Sequence, residues 1–178
     1  MIGDSKQSGF MGVDVVERMM VIAIIGIVLA IAIPQCQLYR LRSKAHLVQK
    51  DIEAIVVAED RYFKRHQKYV AVLPDQSADS SRAQGFNELG WEPESLPGNC
   101  HFAVVVAQKT FTVEAICDLD EDGDTAVFGY VRPAPGMTEG LSGPTGQCMG
   151  AGVYNPETEE YDLNVAGPCD PDSGKKKY

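Results

Sequence analysis

The sequence predicts an α+β fold: a long N-terminal helix, apolar in its first half and amphipathic in its second, packed on a small antiparallel sheet, with a long disulfide-pinned C-terminal loop region. Three observations predict it. Residues 19–33 form a fifteen-residue uncharged run, almost wholly aliphatic. Beyond it, Leu41, Ala45, Val48, Ile52, Ile55, Glu59 and Tyr62 recur at steps of three and four, the period of one helix face. The second half of the chain changes to β-rich runs and then to Gly- and Pro-rich sequence carrying cysteines.

The helix is expected over 13–66, with an apolar half at 13–34 and an amphipathic half at 35–66. Fifteen residues cover roughly 22 Å, short of a hydrocarbon core of roughly 30 Å. Starting at Val13 makes the segment long enough to span, with Asp14, Glu17 and Arg18 at the membrane–water edge. A secretory signal peptide would need a basic start and a small-residue cleavage site after the apolar run. Here Lys6 is offset by Asp4, and Ile33 is followed by Pro-Gln-Cys-Gln. A plain anchor leaves Glu17 unexplained, because a carboxylate beside hydrocarbon needs a partner or a function. The expected partner is another copy of the same chain. Pro34 removes one backbone bond and is expected to kink the helix. Gly26 weakens it by roughly 1 kcal/mol relative to alanine. In the second half Arg42, Lys44, Gln49, Lys50, Glu53 and Arg61 lie between the stripe residues. That stripe needs a covering surface, which the remainder of the chain, 67–178, supplies as a globular head.

Residues 74–99 read as a loop from their Pro, Gly, Ser and Asp content, with Trp91 as a core plug. Two β-rich runs follow, 101–107 and 110–116. A hairpin turning at Gln108-Lys109 pairs residues whose numbers sum to 217, and Cys100 and Cys117 share that sum. They fall on a non-hydrogen-bonded pair, where Cα atoms approach to about 4.5 Å, within disulfide range. Four head cysteines allow three connectivities; this register prefers Cys100–Cys117 and leaves Cys148–Cys169. Residues 125–131 are a third strand. Residues 132–174 read as a long ordered loop pinned by Cys148–Cys169. Cys36, just past the apolar run, would be a free thiol or a small buried apolar residue.

The net charge is −9 and the pI about 4.8, which disfavours nucleic acid as a partner for the body of the protein. The Lys175-Lys176-Lys177 tail reads as solvated. Asp118, Asp120, Asp122 and Asp124 stand at alternate positions with Gly123 sixth, as in the opening of an EF-hand loop. The closing glutamate is missing, since Gly129 stands twelfth. The two readings are an acidic turn between strands and a structural Ca2+ site. His46, His66 and His101 are scattered, and no HExxH or GxSxG pattern occurs. No catalytic residue is assigned, no cofactor is expected beyond that possible calcium, and the expectation is a non-enzyme. Tyr39, Tyr62, Phe63 and Tyr69 read as core and interface packing, with an electron-transfer stripe as the alternative.

The residues around 12–34, with Val-Ile-Ala-Ile-Ile-Gly-Ile and Ala-Ile-Pro-Gln at their centre, resemble the N-terminus of type IV pilins and pilin-like proteins, in feel nearest the delta-proteobacterial type IVa pilins. In that family a short leader is cut after a glycine, and a glutamate stands fifth in the mature chain. Cutting between Gly12 and Val13 puts Glu17 fifth and brings Gly26 and Pro34 into register. Cutting after Gly9 makes Phe10 first but puts Asp14 fifth and displaces both by three places. The first alignment is preferred. It makes 1–12 a leader, although that segment lacks the family's usual basic cluster. Asp14 and Arg18 depart from the family pattern and are spaced to pair on one helix face. The resemblance implies a subunit of a type IV pilus: cleaved and N-methylated at Val13 by prepilin peptidase, held single-pass in the inner membrane and lipid bilayer, then polymerised by the assembly machinery into an extracellular homopolymer. Glu17, Gly26 and Pro34 would serve assembly. The rivals are a minor pilin or type II secretion pseudopilin, and a monomeric membrane-anchored binding protein.

Overall fold

The computed structural model of the chain describes residues 15–73, 84–93 and 99–175. The chain divides into two units, Met1–Tyr39 and Arg40–Tyr178. In the first, the described residues form the start of helix α1 (Val15–His66), which runs through Gly26 and Pro34 without interruption. Pro34 therefore sits inside the helix and does not end it. The aliphatic side chains here are exposed: Ile22 is 69% and Ile27 64% exposed.

In the second unit the helical stripe becomes a buried face. Ala45, Val48, Ile52, Ile55 and Glu59 are buried, and Leu41 and Tyr62 are partly so. Asp51 is a second buried polar residue on α1. Arg42, Lys50, Glu53 and Arg61 point to solvent. The helix stops where Gln67 takes a left-handed conformation (φ 56°) and donates its N–H to Phe63 O at 2.8 Å. Lys64, Arg65 and His66 complement the dipole of the last turn.

Strands β1 (Asn99–Ala107) and β2 (Thr110–Asp118) form a hairpin that places Cys100 opposite Cys117 and Ala107 opposite Thr110. Its two-residue turn carries a positive φ at Gln108 (41°), as the first central residue of a type II′ turn does. Strand β3 (Ala126–Arg132) pairs antiparallel with β2. Alternation then sorts the side chains. Phe102, Val104, Phe111, Val113, Ala115, Phe128 and Tyr130 join Val48, Ile52 and Ile55 in one core cluster. The opposite face carries Ile116 and Val127 together with Cys148 and Cys169.

Two expectations are corrected. Residues 74–99, expected to be loop, contain helix α2 (Gln84–Leu89). Its six residues give too short a period to read. It forms because Phe86 and Leu89 reach the core, and Gly90 (φ 65°) supplies the left-handed turn that ends it. Trp91 packs there as a core residue, 4.8 Å from the Phe86 ring and 5.4 Å from the Phe102 ring.

Residues 132–174 are also more regular than a loop. They hold β4 (Val153–Asn155), β5 (Glu160–Asp162), β6 (Ala166–Pro168) and helix α3 (Pro171–Lys175). β4 and β5 form their own hairpin, whereas β6 extends the main sheet to the order β1-β2-β3-β6. Three-residue strands have no periodicity of their own. β4 and β5 pair with each other across a short turn, and a partner distant in the chain makes β6: Phe128 faces Pro168, and Gly129 faces Gly167.

Candidate assembly site

Of the residues assigned to processing and assembly, Gly12 and Val13 lie outside the described residues, as does Asp14. Glu17 falls in the first turn of α1, where the positive end of the helix dipole favours a carboxylate. It is exposed, as are Gly26, Pro34 and Cys36. Apart from its chain neighbours and the adjacent helix backbone, no atom of the described residues lies within 4 Å of where a Gly26 Cβ would be. Among the described residues α1 is the one helix long and apolar enough to cross a membrane, and its apolar window is wholly unburied. An aliphatic surface of this length in water is unfavourable by roughly 25 cal/mol per Å2. The geometry therefore calls for lipid or for other helices around it.

The second unit holds two disulfides and two fully buried glutamates. Cys100 and Cys117 are bonded with their Cα atoms 4.1 Å apart across the hairpin. Cys148 and Cys169 are bonded at 4.6 Å and tie the C-terminal region to the outer face of the sheet. Cys169 N–H donates to Val127 O at 2.8 Å, and Val127 N–H donates to Ser173 Oγ at 3.0 Å.

Glu114 and Glu59 are both fully buried. The Glu114 carboxylate accepts the Thr145 N–H at 2.9 Å, the Thr145 hydroxyl and the Cys148 N–H at 3.4 Å. It thus replaces water for the backbone of the 143–148 loop. Glu59 accepts the Val70 N–H at 3.1 Å through Oε2, while Oε1 is buried without a hydrogen-bond partner among the described residues. The neighbouring Asp60 pairs with Arg132, whose guanidinium lies 5.0 Å from the Phe111 ring centroid and donates to the Tyr130 hydroxyl. Burial works against the Arg132 charge, but the bonds to Asp60 and Tyr130 outweigh it and hold the pKa above its ordinary value.

The acidic turn joins β2 to β3. Asp118 accepts the N–H groups of Glu121 (2.8 Å) and Gly123 (3.1 Å), and Asp122 accepts that of Asp124 (2.8 Å). Oxygens of Asp118, Asp120 and Asp122 lie within 4.8 Å of one another, and Asp124 is not among them. Gly129, twelfth in the EF-hand count, is in β3, where a Cβ would overlap Cys148 Sγ.

Sequence reading noted Glu59 only as the polar member of an apolar stripe and gave Glu114, Gly129 and Gly143 no structural role. A glutamate in a strand that alternates Thr112, Glu114 and Ile116 on one face has no local mark of burial. The cover comes from residues some thirty positions later.

No protein-family model matches the chain, and no solved structure matches it. Two curated proteins are similar to it. One is the type IV major pilin protein PilA of Myxococcus xanthus, 30% identical over 94 residues, which are 50% of this chain and 39% of that protein. The other is a fimbrial protein of Pseudomonas aeruginosa, 28% identical over 131 residues, 73% of this chain and 81% of that protein. The chain is thus similar, at modest identity, to a type IV major pilin and a fimbrial protein, and it has an apolar N-terminal helix and a disulfide-bonded α+β head.

Proposed function

We propose that this chain is a structural subunit of a type IV pilus, made as a precursor and polymerised through α1. The observation that carries the reading is the unburied apolar run of α1 with Glu17 as the acidic residue of its first turn. In this reading prepilin peptidase cuts between Gly12 and Val13 and methylates the new amine. The helix waits in the inner membrane, with the head outside, until the assembly machinery withdraws it. It then packs among the helices of other copies, and Glu17 pairs with the positive N-terminus of a neighbouring Val13.

The physics of that pair selects the geometry. A carboxylate left unpaired in an apolar setting costs several kcal/mol, so only the stagger that brings an amine to each Glu17 is stable. A head-to-tail contact of this kind does not close on itself and yields an open filament. Gly26 and Pro34 weaken the helix where it must adjust on leaving the bilayer. The reading needs no cofactor and no catalytic residue; the two relatives are named as pilin and fimbrial protein, not as enzymes.

The test is Glu17→Ala in the native host. The protein is expected to be made and inserted normally, with sheared surface filaments absent. Wild-type filament yield from that variant would refute the pairing. Recovery of the wild-type chain only as a membrane-bound monomer would favour an anchored binding protein instead.

A further inference from the structure

The buried carboxyl of Glu59 is not used by any assembly contact described above, and its surroundings are unusual. It sits on the sheet-facing side of α1, two turns before the helix ends. Its hydrogen bond from the Val70 N–H crosses to the segment that leaves the helix. Two residues further on, Val72 and Val104 exchange both backbone bonds, Val72 N–H to Val104 O at 2.9 Å and Val104 N–H to Val72 O at 2.7 Å. β1 is an edge strand of its sheet. Among the described residues this bridge is the backbone pairing on its outer side.

Among the described residues the second carboxyl oxygen has no hydrogen-bond partner. A neutral carboxyl fits this cage: one oxygen accepts from Val70 and the other carries the proton. An ionised one does not, because a buried charge with a single donor is poorly compensated. The ionisable groups on the surrounding elements supply no counter-charge. Asp60, next in the helix, carries the same sign and engages Arg132 of β3. Lys68 and Tyr69 lie on the exit segment, and Lys68 is exposed. On the helix-facing side of β1 and β2 the core residues are apolar, and β3 adds Tyr130. Glu114 and His101 belong to the opposite side by alternation.

We propose that Glu59 is a pH-sensitive latch: as a neutral carboxyl it fastens the exit of α1 to the sheet, and on ionisation it releases the 67–73 segment and frees the outer edge of β1. The direction follows from burial, the largest cause, which pushes the carboxyl up from 4.5 to about 7 against the opposing Val70 bond, with Asp60 adding to the rise. The folded value lies above the unfolded one. The stabilisation is therefore fully present below about pH 4.5 and is lost as pH rises through about 7.

The experiment is amide exchange on the full chain in detergent micelles, corrected for intrinsic exchange, from pH 5 to 8.5. The opening constant at Val70, Val72 and Val104 is expected to rise about tenfold per pH unit and to level near pH 7, while Glu59→Gln shows no such slope. Flat protection in the wild type, or the same slope in Glu59→Gln, overturns the latch. If Glu59→Gln does not fold, the wild-type carboxyl is followed by infrared spectroscopy. Titration near 7 supports the latch, and titration near the ordinary glutamate value overturns it.

Discussion

A Cβ on Gly143 would stand 2.7 Å from Oε1 of Glu114, so the C-terminal region rests its backbone directly on a buried carboxylate. The contact cannot be relieved by swinging the glutamate aside, because Thr145 and Cys148 hold both its oxygens. Gly143→Ala is expected to destabilise the head by about 1–3 kcal/mol, the usual range for overpacking. Glu114→Gln keeps the shape but turns an NH2 group towards N–H donors, and a loss of about 1.5–3 kcal/mol is expected. Denaturant melts of the oxidised proteins measure both; midpoints unchanged from wild type would mean the 143–148 loop is not anchored there.

Gly129 lies in β3 under the Cys148–Cys169 bond, with Cys169 Sγ 2.8 Å from where its Cβ would be and Cys148 Sγ closer still. Neither the strand nor the bonded cysteines can move independently. Gly129→Ala is expected to leave this bridge incompletely oxidised while Cys100–Cys117 forms normally. Thiol counting with peptide mapping under non-reducing conditions checks this; full oxidation of both bridges with a wild-type melt would show that the sheet yields.

Asp118 closes the β2–β3 turn by accepting two backbone N–H groups. Asp118→Ala is expected to cost about 1–2 kcal/mol, by the same amount in chelator and in millimolar calcium. A calcium-dependent rise in the wild-type melting midpoint that Asp118→Ala abolishes would instead make the turn an ion site.

Cleavage between Gly12 and Val13 has a direct readout. Gly12→Lys is expected to leave an intact precursor in the membrane and no filament, seen by mass spectrometry of membrane and sheared fractions. A mature chain beginning at Val13 in that variant would show that the cut is specified elsewhere.

The sequence by itself determined what local and periodic physics controls. Fifteen uncharged, mostly aliphatic residues in line and a three-four stripe from Leu41 to Tyr62 permit one long helix and fix which face of its second half is buried. The pairing of 100 with 117 follows from a two-residue turn at Gln108-Lys109, because register in a hairpin is local arithmetic. The tertiary structure alone decided what covers the outer face of the sheet. Three-residue strands at 153–168 carry no period, and the pairing of β6 depends on β3, more than twenty residues earlier. Partners outside their own element also hid the two buried glutamates. Glu114 is buried by Thr145 and Cys148, and Glu59 is capped by Val70 beyond the end of its helix. Burial of a polar group is a property of its neighbours in space, and a strand or helix period records only which side it is on.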